Sequence, residues 1–175
     1  MKALSGRRRE GVALSLYTRA VEQARRPEFY LSLGVPDSVD GRFDLLVLHV
    51  FLLLHRLGRE GREWRTLSQT VFDLMFADMD RNLREMGVSD LAVGKRVRAM
   101  ASAFYGRIAA YEPGLDDAQV LTGALQRNLY RGADVGSERV SAMVAYVQRE
   151  AAALAAQPAG ELREGRVRFG DPVTP

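Results

Sequence analysis

The stretch RFDLLVLHVFLLLHRL, Arg42 to Leu57, limits what this chain can fold into more than any other. It is the most apolar run in the sequence, yet His49 and His55 break it into pieces far shorter than the roughly 20 residues of a membrane-spanning helix. Protein must therefore bury it. At about 100° per residue, Asp44, His49, His55 and Arg56 gather on one side, and Leu46, Val47, Val50, Leu53, Leu54 and Leu57 fill the rest. That is the pattern of a central helix covered on most of its circumference. Asp40 or Gly41 in PDSVDG would begin it, and GREG, Gly58 to Gly61, would end it.

Five more segments share the helical period. Near the N-terminus, Leu14, Tyr17, Val21 and Ala24 recur at three- and four-residue spacing. The apolar stretch there is closed by Thr18 and Arg19, too soon for a secretory or spanning core. This helix is amphipathic and basic, so it docks either on the domain core or on an anionic membrane surface. From Trp64 a stripe runs through Leu67, Val71, Leu74, Met75, Met79, Leu83 and Met86 and stops at Gly87. Ser89 is placed to cap the next helix, buried along Val93, Val97, Met100, Phe104, Ile108 and Tyr111. Two further helices are expected at about Asp116 to Arg131 and Ser137 to Ala156. No strand periodicity extends beyond a few residues, so the expected fold is all-α: a single-domain bundle of about six helices with a disordered C-terminal tail.

The expected organisation is a basic N-terminal amphipathic helix over residues 1–27, a helical domain over 28–157 and a flexible tail over 158–175. Beyond Pro158 the chain is polar and rich in glycine and proline, with little besides Val167 and Phe169 to bury.

Reactive chemistry finds few footholds. The absence of cysteine removes disulfides, thiolate metal sites and a thiol nucleophile. His49 and His55 stand about 240° apart on a straight helix and cannot chelate one ion together. Asp73 and Asp80 are two turns apart, roughly 10 Å along the axis, too far to share a proton. Asp78 projects into the apolar sector and needs a partner, from Arg81 or from an arginine of the following helix. With no nucleophile elbow, dinucleotide fingerprint or phosphate loop, neither an enzyme, a cofactor nor a metal is expected.

Surface chemistry offers more. The formal net charge is only +3, so clusters rather than overall charge would steer a partner. Arg7 to Arg9 and Lys95 to Arg98 are such clusters, and they suit an RNA- or ribosome-binding module whose affinity falls with salt. Ala99, Ser102, Gly106 and Ala110 form a strip of small residues, flanked by Lys95, Arg98 and Tyr105, that suits either an incoming helix or thin packing within the bundle. Trp64, Phe72, Phe76 and Tyr105, with six methionines, could supply adaptable apolar surface.

PDSVDGRFDLLVLHVFLLLHRL and LSQTVFDLMFADMDRNLREMGVSDLAVGKRVRAMASAFYGRIAAY resemble the ubiquinol-cytochrome c chaperone family, from about Phe29 to Leu154. The resemblance implies a helical, non-catalytic assembly factor that holds newly made cytochrome b during biogenesis of the bc1 complex. It implies work at or near the ribosome and the inner membrane surface, with a small helical co-chaperone in the mitochondrial members. Having no long targeting extension, this chain is expected to be bacterial and cytoplasmic. FADMDRNLREMG and GKRVRAMASAFYGR are the most characteristic stretches, so Asp78, Asp80, Arg84, Lys95, Arg98 and Tyr105 are assigned to the client or partner surface, beside Trp64, Phe72 and Phe76.

Overall fold

The structure is a computed structural model that describes residues 6–61 and 64–172. The outermost parts of the expected N-terminal and tail segments, residues 1–5 and 173–175, lie outside the described residues, as do Arg62 and Glu63. Among the described residues the order is α1 (Gly6–Ala24), α2 (Glu28–Leu31), α3 (Val39–Gly58), α4 (Arg65–Glu85), α5 (Asp90–Tyr111), α6 (Ala118–Asn128), α7 (Ser137–Ala156) and α8 (Ala159–Arg163), with a 3-10 turn at Glu112–Leu115. The all-α bundle of six long helices is as the periodicity predicts. The additions are two short helices.

Helix α3 is the axis of the fold. Ser38, in extended conformation, accepts a hydrogen bond from the Gly41 amide at 3.1 Å and so caps its first turn. The same turn requires a glycine, because a Cβ at Gly41 would lie 2.0 Å from the Pro36 carbonyl oxygen. The expectation that α3 keeps a polar side fails in one respect: Asp44, His49 and Arg56 are as buried as the leucines around them. Each has a partner from a distant segment. Asp44 ion-pairs with Arg107 at 2.5 Å and Arg131 at 2.7 Å. Arg56 donates to the carbonyls of Leu154 and Gln157 at 2.6 and 2.9 Å.

Helix α1 packs on α3 and α4, burying Val12, Ala13, Leu16, Tyr17, Ala20 and Ala24 in the common core. Leu14 points outward, so the buried face is rotated from the stripe read in the sequence. Contacts between Tyr17 and Asp78 show that α1 and α4 run side by side, and Phe72 against Phe104 with Arg84 against Asp90 make α5 antiparallel to α4. Ser89 stands before α5 without a side-chain capping bond; its backbone carbonyl accepts from Ala92 and Val93 instead. Asp117 caps α6 through the amides of Gln119 and Val120.

The C-terminal segment departs most from expectation. Rather than a disordered tail, residues 158–172 form α8 and an extended strap across α7 and α1. Leu162 and Val167 are buried, and Phe169 lies edge-on to His49 with ring centroids 5.5 Å apart. The strap's backbone is held by polar side chains of the bundle. Gln157 takes the Arg168 amide and donates to the Arg166 carbonyl, Glu150 accepts from the Gly170 amide at 2.7 Å, and Gln23 donates to the Gly170 carbonyl at 2.7 Å. A polar composition conceals this because the strap gains its order from backbone bonds as well as from apolar burial.

Candidate functional site

The three carboxylates of FDLMFADMD do not converge. Asp73 accepts from Gln69 at 2.7 Å, and Asp80 pairs with Arg84 at 2.6 Å. Asp78 is half-buried and accepts from the Tyr17 hydroxyl and from Arg81, each at 2.9 Å, so its partners are Arg81 and α1 rather than an arginine of α5. Burial and this bond push the Tyr17 hydroxyl pKa well above its ordinary value. No group of three or more His, Asp or Glu among the described residues is placed to hold a metal. The two histidines also diverge: His49 is sealed in the core, while His55 lies 3.7 Å from Glu112 at the boundary.

What the structure does open is a groove of about 710 Å³ where the C-terminal ends of α1 and α4 meet α2 and the start of α3. Phe43, Leu46 and Leu83 form an apolar floor, with Met79 and Met100 beside them. Leu31, Val39 and Met86 line the groove while remaining 78%, 65% and 55% exposed. Exposed apolar side chains around a concave apolar surface are the feature that marks an interaction site on a soluble domain. Asp78, Asn82 and Glu85 contribute polar groups from α4, and Arg25 from the end of α1.

Of the residues singled out in the sequence, Asp78 lines this groove. Asp80 and Arg84 form an exposed ion-pair chain with Asp90 at the α4–α5 turn. Phe72 and Tyr105 stack around Phe104, with centroid separations of 5.3 and 5.9 Å from its ring, and Tyr105 is 60% exposed. The expectation of apolar surface at Trp64 and Phe76 is overturned. Trp64 is buried beneath the Arg163 guanidinium, 4.8 Å from its ring, and Phe76 is buried against Phe72 and Phe104. Lys95 and Arg98 are exposed on α5. Beside them the small-residue strip is open at Ala99, Ser102 and Gly106, where a Cβ on Gly106 would meet nothing within 4 Å, while Ala110 packs against the core.

The basic clusters do not form one track. Arg7 to Arg9 begin α1, level with the start of α4, whereas Lys95 to Arg98 lie beside the end of α4. Sequence reading missed Leu31, Val39 and Arg25. They fall in or beside the link RRPEFYLSLGVPDSV, where proline and glycine interrupt any apolar period, so nothing in the local pattern tells the exposed Leu31 from the buried Phe29 and Leu33 near it.

The family model described as ubiquinol-cytochrome C chaperone matches residues 31–169. The chain belongs to that family. The match continues past Leu154 into the strap, consistent with the ordered C-terminal segment. This ubiquinol-cytochrome C chaperone family member is 30% identical over 139 residues to ubiquinol-cytochrome c reductase complex assembly factor 1 of Mus musculus, covering 79% of this chain and 47% of that one. Against the factor of the same name from Xenopus laevis it is 29% identical over 139 residues, covering 79% and 70%. The chain thus spans about half the length of the mouse relative it matches. Its fold superposes on the crystal structure of a Cbp3 homolog from Brucella abortus with a TM-score of 0.84 and 36% identity, covering 95% of this chain and 92% of that one. The family is one of chaperones, not of enzymes, and among the described residues no helix is long and apolar enough to cross a membrane.

Proposed function

We propose that this protein is an assembly chaperone for the ubiquinol-cytochrome c reductase complex, and that it holds newly made cytochrome b until the other subunits and haem are in place. Family membership supports the assembly role. The observation that carries client binding is the open groove, with apolar Leu31, Val39 and Met86 left exposed around it. Its methionines suit a client surface of variable shape, because an unbranched, polarizable thioether repacks easily. The client emerges at a ribosome on the membrane, so the chaperone works there as a peripheral partner, from the cytoplasmic side. On this reading Asp78, inside the groove, and Asp80, Arg84, Lys95, Arg98 and Tyr105, on the surface of α4 and α5, are the residues of the family-characteristic segments that would touch the client or a partner.

The test is genetic and chemical. Deleting the gene should reduce both cytochrome b and assembled reductase on native gels, and the wild-type gene should restore them. A photo-crosslinker at position 86 should capture newly made cytochrome b. Normal reductase levels in the deletion strain would remove the assembly role.

A further inference from the structure

The groove carries an unusual charge arrangement for an apolar site. Glu85, contributed by α4, and Arg25, contributed by the end of α1, both line it, both are exposed, and neither has an ion-pair partner among the described residues. The other charged lining residues are already satisfied: Arg42 pairs with Asp37 at 2.6 Å, and Asp78 with Arg81 at 2.9 Å. An occupant therefore meets an apolar floor with one unpaired carboxylate, contributed by α4, and one unpaired guanidinium, contributed by the end of α1, beside it.

We infer that the groove recognises a short amphipathic helix that carries both a cation and an anion beside its apolar face. This rests on the reading of the groove as the client-binding site and names what part of a client it fits. Three observations favour such a segment over a whole membrane-spanning helix. A volume of about 710 Å³ is that of a pocket for a few side chains, the i, i+3, i+4 and i+7 anchors of two helical turns. A uniformly apolar occupant would cover Arg25 and Glu85 and strip water from both without offering either a partner. The methionine side chains, Met79, Met86 and Met100, accommodate different anchor shapes, leaving the rim charges to select among them.

The experiment uses the full chain and four synthetic helical peptides that share one Leu/Met apolar face. Beside that face they carry one lysine and one glutamate, two lysines, two glutamates, or two glutamines. The mixed peptide binds the wild type about three- to tenfold more tightly than the others, the size expected of two exposed charge pairs. Because a helix can enter a groove in either direction, the decisive result is the change of ranking with the protein. Arg25→Glu makes both unpaired charges acidic and moves the preference to the lysine peptide. Glu85→Arg makes both basic and moves it to the glutamate peptide. Arg65→Glu, on the exposed start of α4 away from the groove, controls for net charge and leaves the ranking alone. All three positions are exposed, so thermal unfolding should be unchanged. The inference is overturned if no peptide binds saturably below millimolar concentration, or if the ranking ignores Arg25 and Glu85. If position 86 crosslinks to cytochrome b while the peptides fail, the assembly reading stands and this one falls. Normal reductase in the deletion strain with the peptide ranking intact removes the assembly role and leaves the groove's charge preference standing.

Discussion

Acidification from pH 7 to pH 5 should cost this fold stability through one side chain, His49. Its Nδ1 lies 2.8 Å from the Leu45 carbonyl, which can only accept, so Nδ1 carries the proton and Nε2 is the acceptor for the Tyr146 hydroxyl, also at 2.8 Å. The Tyr146 oxygen in turn accepts from Gln23 at 3.0 Å. A second proton on His49 would turn the acceptor of this chain into a donor inside the core. Burial pushes the imidazole pKa down from 6.5 to about 4, only partly opposed by the bond to Leu45. The unfolded chain therefore takes up a proton near pH 6.5 that the folded chain refuses until about pH 4. Between those values the unfolded state binds more protons, so stability rises with pH and is lost on acidification. With these two pKa values the loss at pH 5 is about 2 kcal/mol, and it approaches 3 kcal/mol near pH 4. The assay is urea unfolding at both pH values for the wild type and His49→Gln, which keeps a donor and an acceptor but cannot titrate. At a slope of about 2 kcal/mol per molar urea, the wild-type midpoint should fall about 1 M further than that of the variant. Equal falls in the two proteins would refute the depressed pKa.

Gly41→Ala should unfold the protein or lower its melting temperature by tens of degrees, because the added carbon meets a backbone oxygen that cannot move aside; Gly58→Ala, with nothing within 4 Å, should be nearly neutral in the same melt. Arg107→Ala should cost about 3 kcal/mol in urea unfolding by weakening the pairing of buried Asp44, and adding Asp44→Asn to that variant should recover part of the loss. Truncation before Gly165 should cost about 2–4 kcal/mol, since it exposes the surface under Val167 and Phe169 and removes partners of Gln23 and Glu150. The shortened chain should still show a helical circular dichroism spectrum.

The bundle was legible because helices announce themselves by local period: every long helix is carried by a stripe of apolar residues that a single segment contains. Position on the wheel was legible too, since Asp44, His49 and Arg56 do share a side of α3. Their burial was not. It depends on Arg107, Arg131, Tyr146 and the carbonyls of Leu154 and Gln157, all distant in sequence, and no local pattern specifies such partners. The strap was illegible for the same reason, as its order comes from Gln23, Glu150 and Gln157. At the candidate site, Asp78 was found through its odd position among apolar residues. Leu31 and Val39 were not, because exposure on the rim of a groove is a tertiary property. Trp64 and Phe76 failed in reverse: an aromatic at the edge of a stripe is covered whenever a neighbour such as Arg163 or Phe104 reaches it.

A groove edged by exposed apolar side chains is an unstable shape for a helical bundle, since closing the walls on each other would bury the same surface without any client. Here the walls are tied by directional polar contacts that a closed arrangement would break. Tyr17 bonds Asp78 and sets α1 against α4. On the other face of α1, Gln23 bonds Tyr146 and the Gly170 carbonyl, and Arg26 pairs with Glu28 and Asp171 at 2.9 and 3.2 Å. Phe29, fully buried between His49 and Tyr146, pins α2 so that Leu31 is left facing out. The buried polar network and the exposed apolar rim are therefore two sides of one arrangement. Hydrogen bonds, which tolerate little change of angle, hold a spacing that apolar packing alone would not keep.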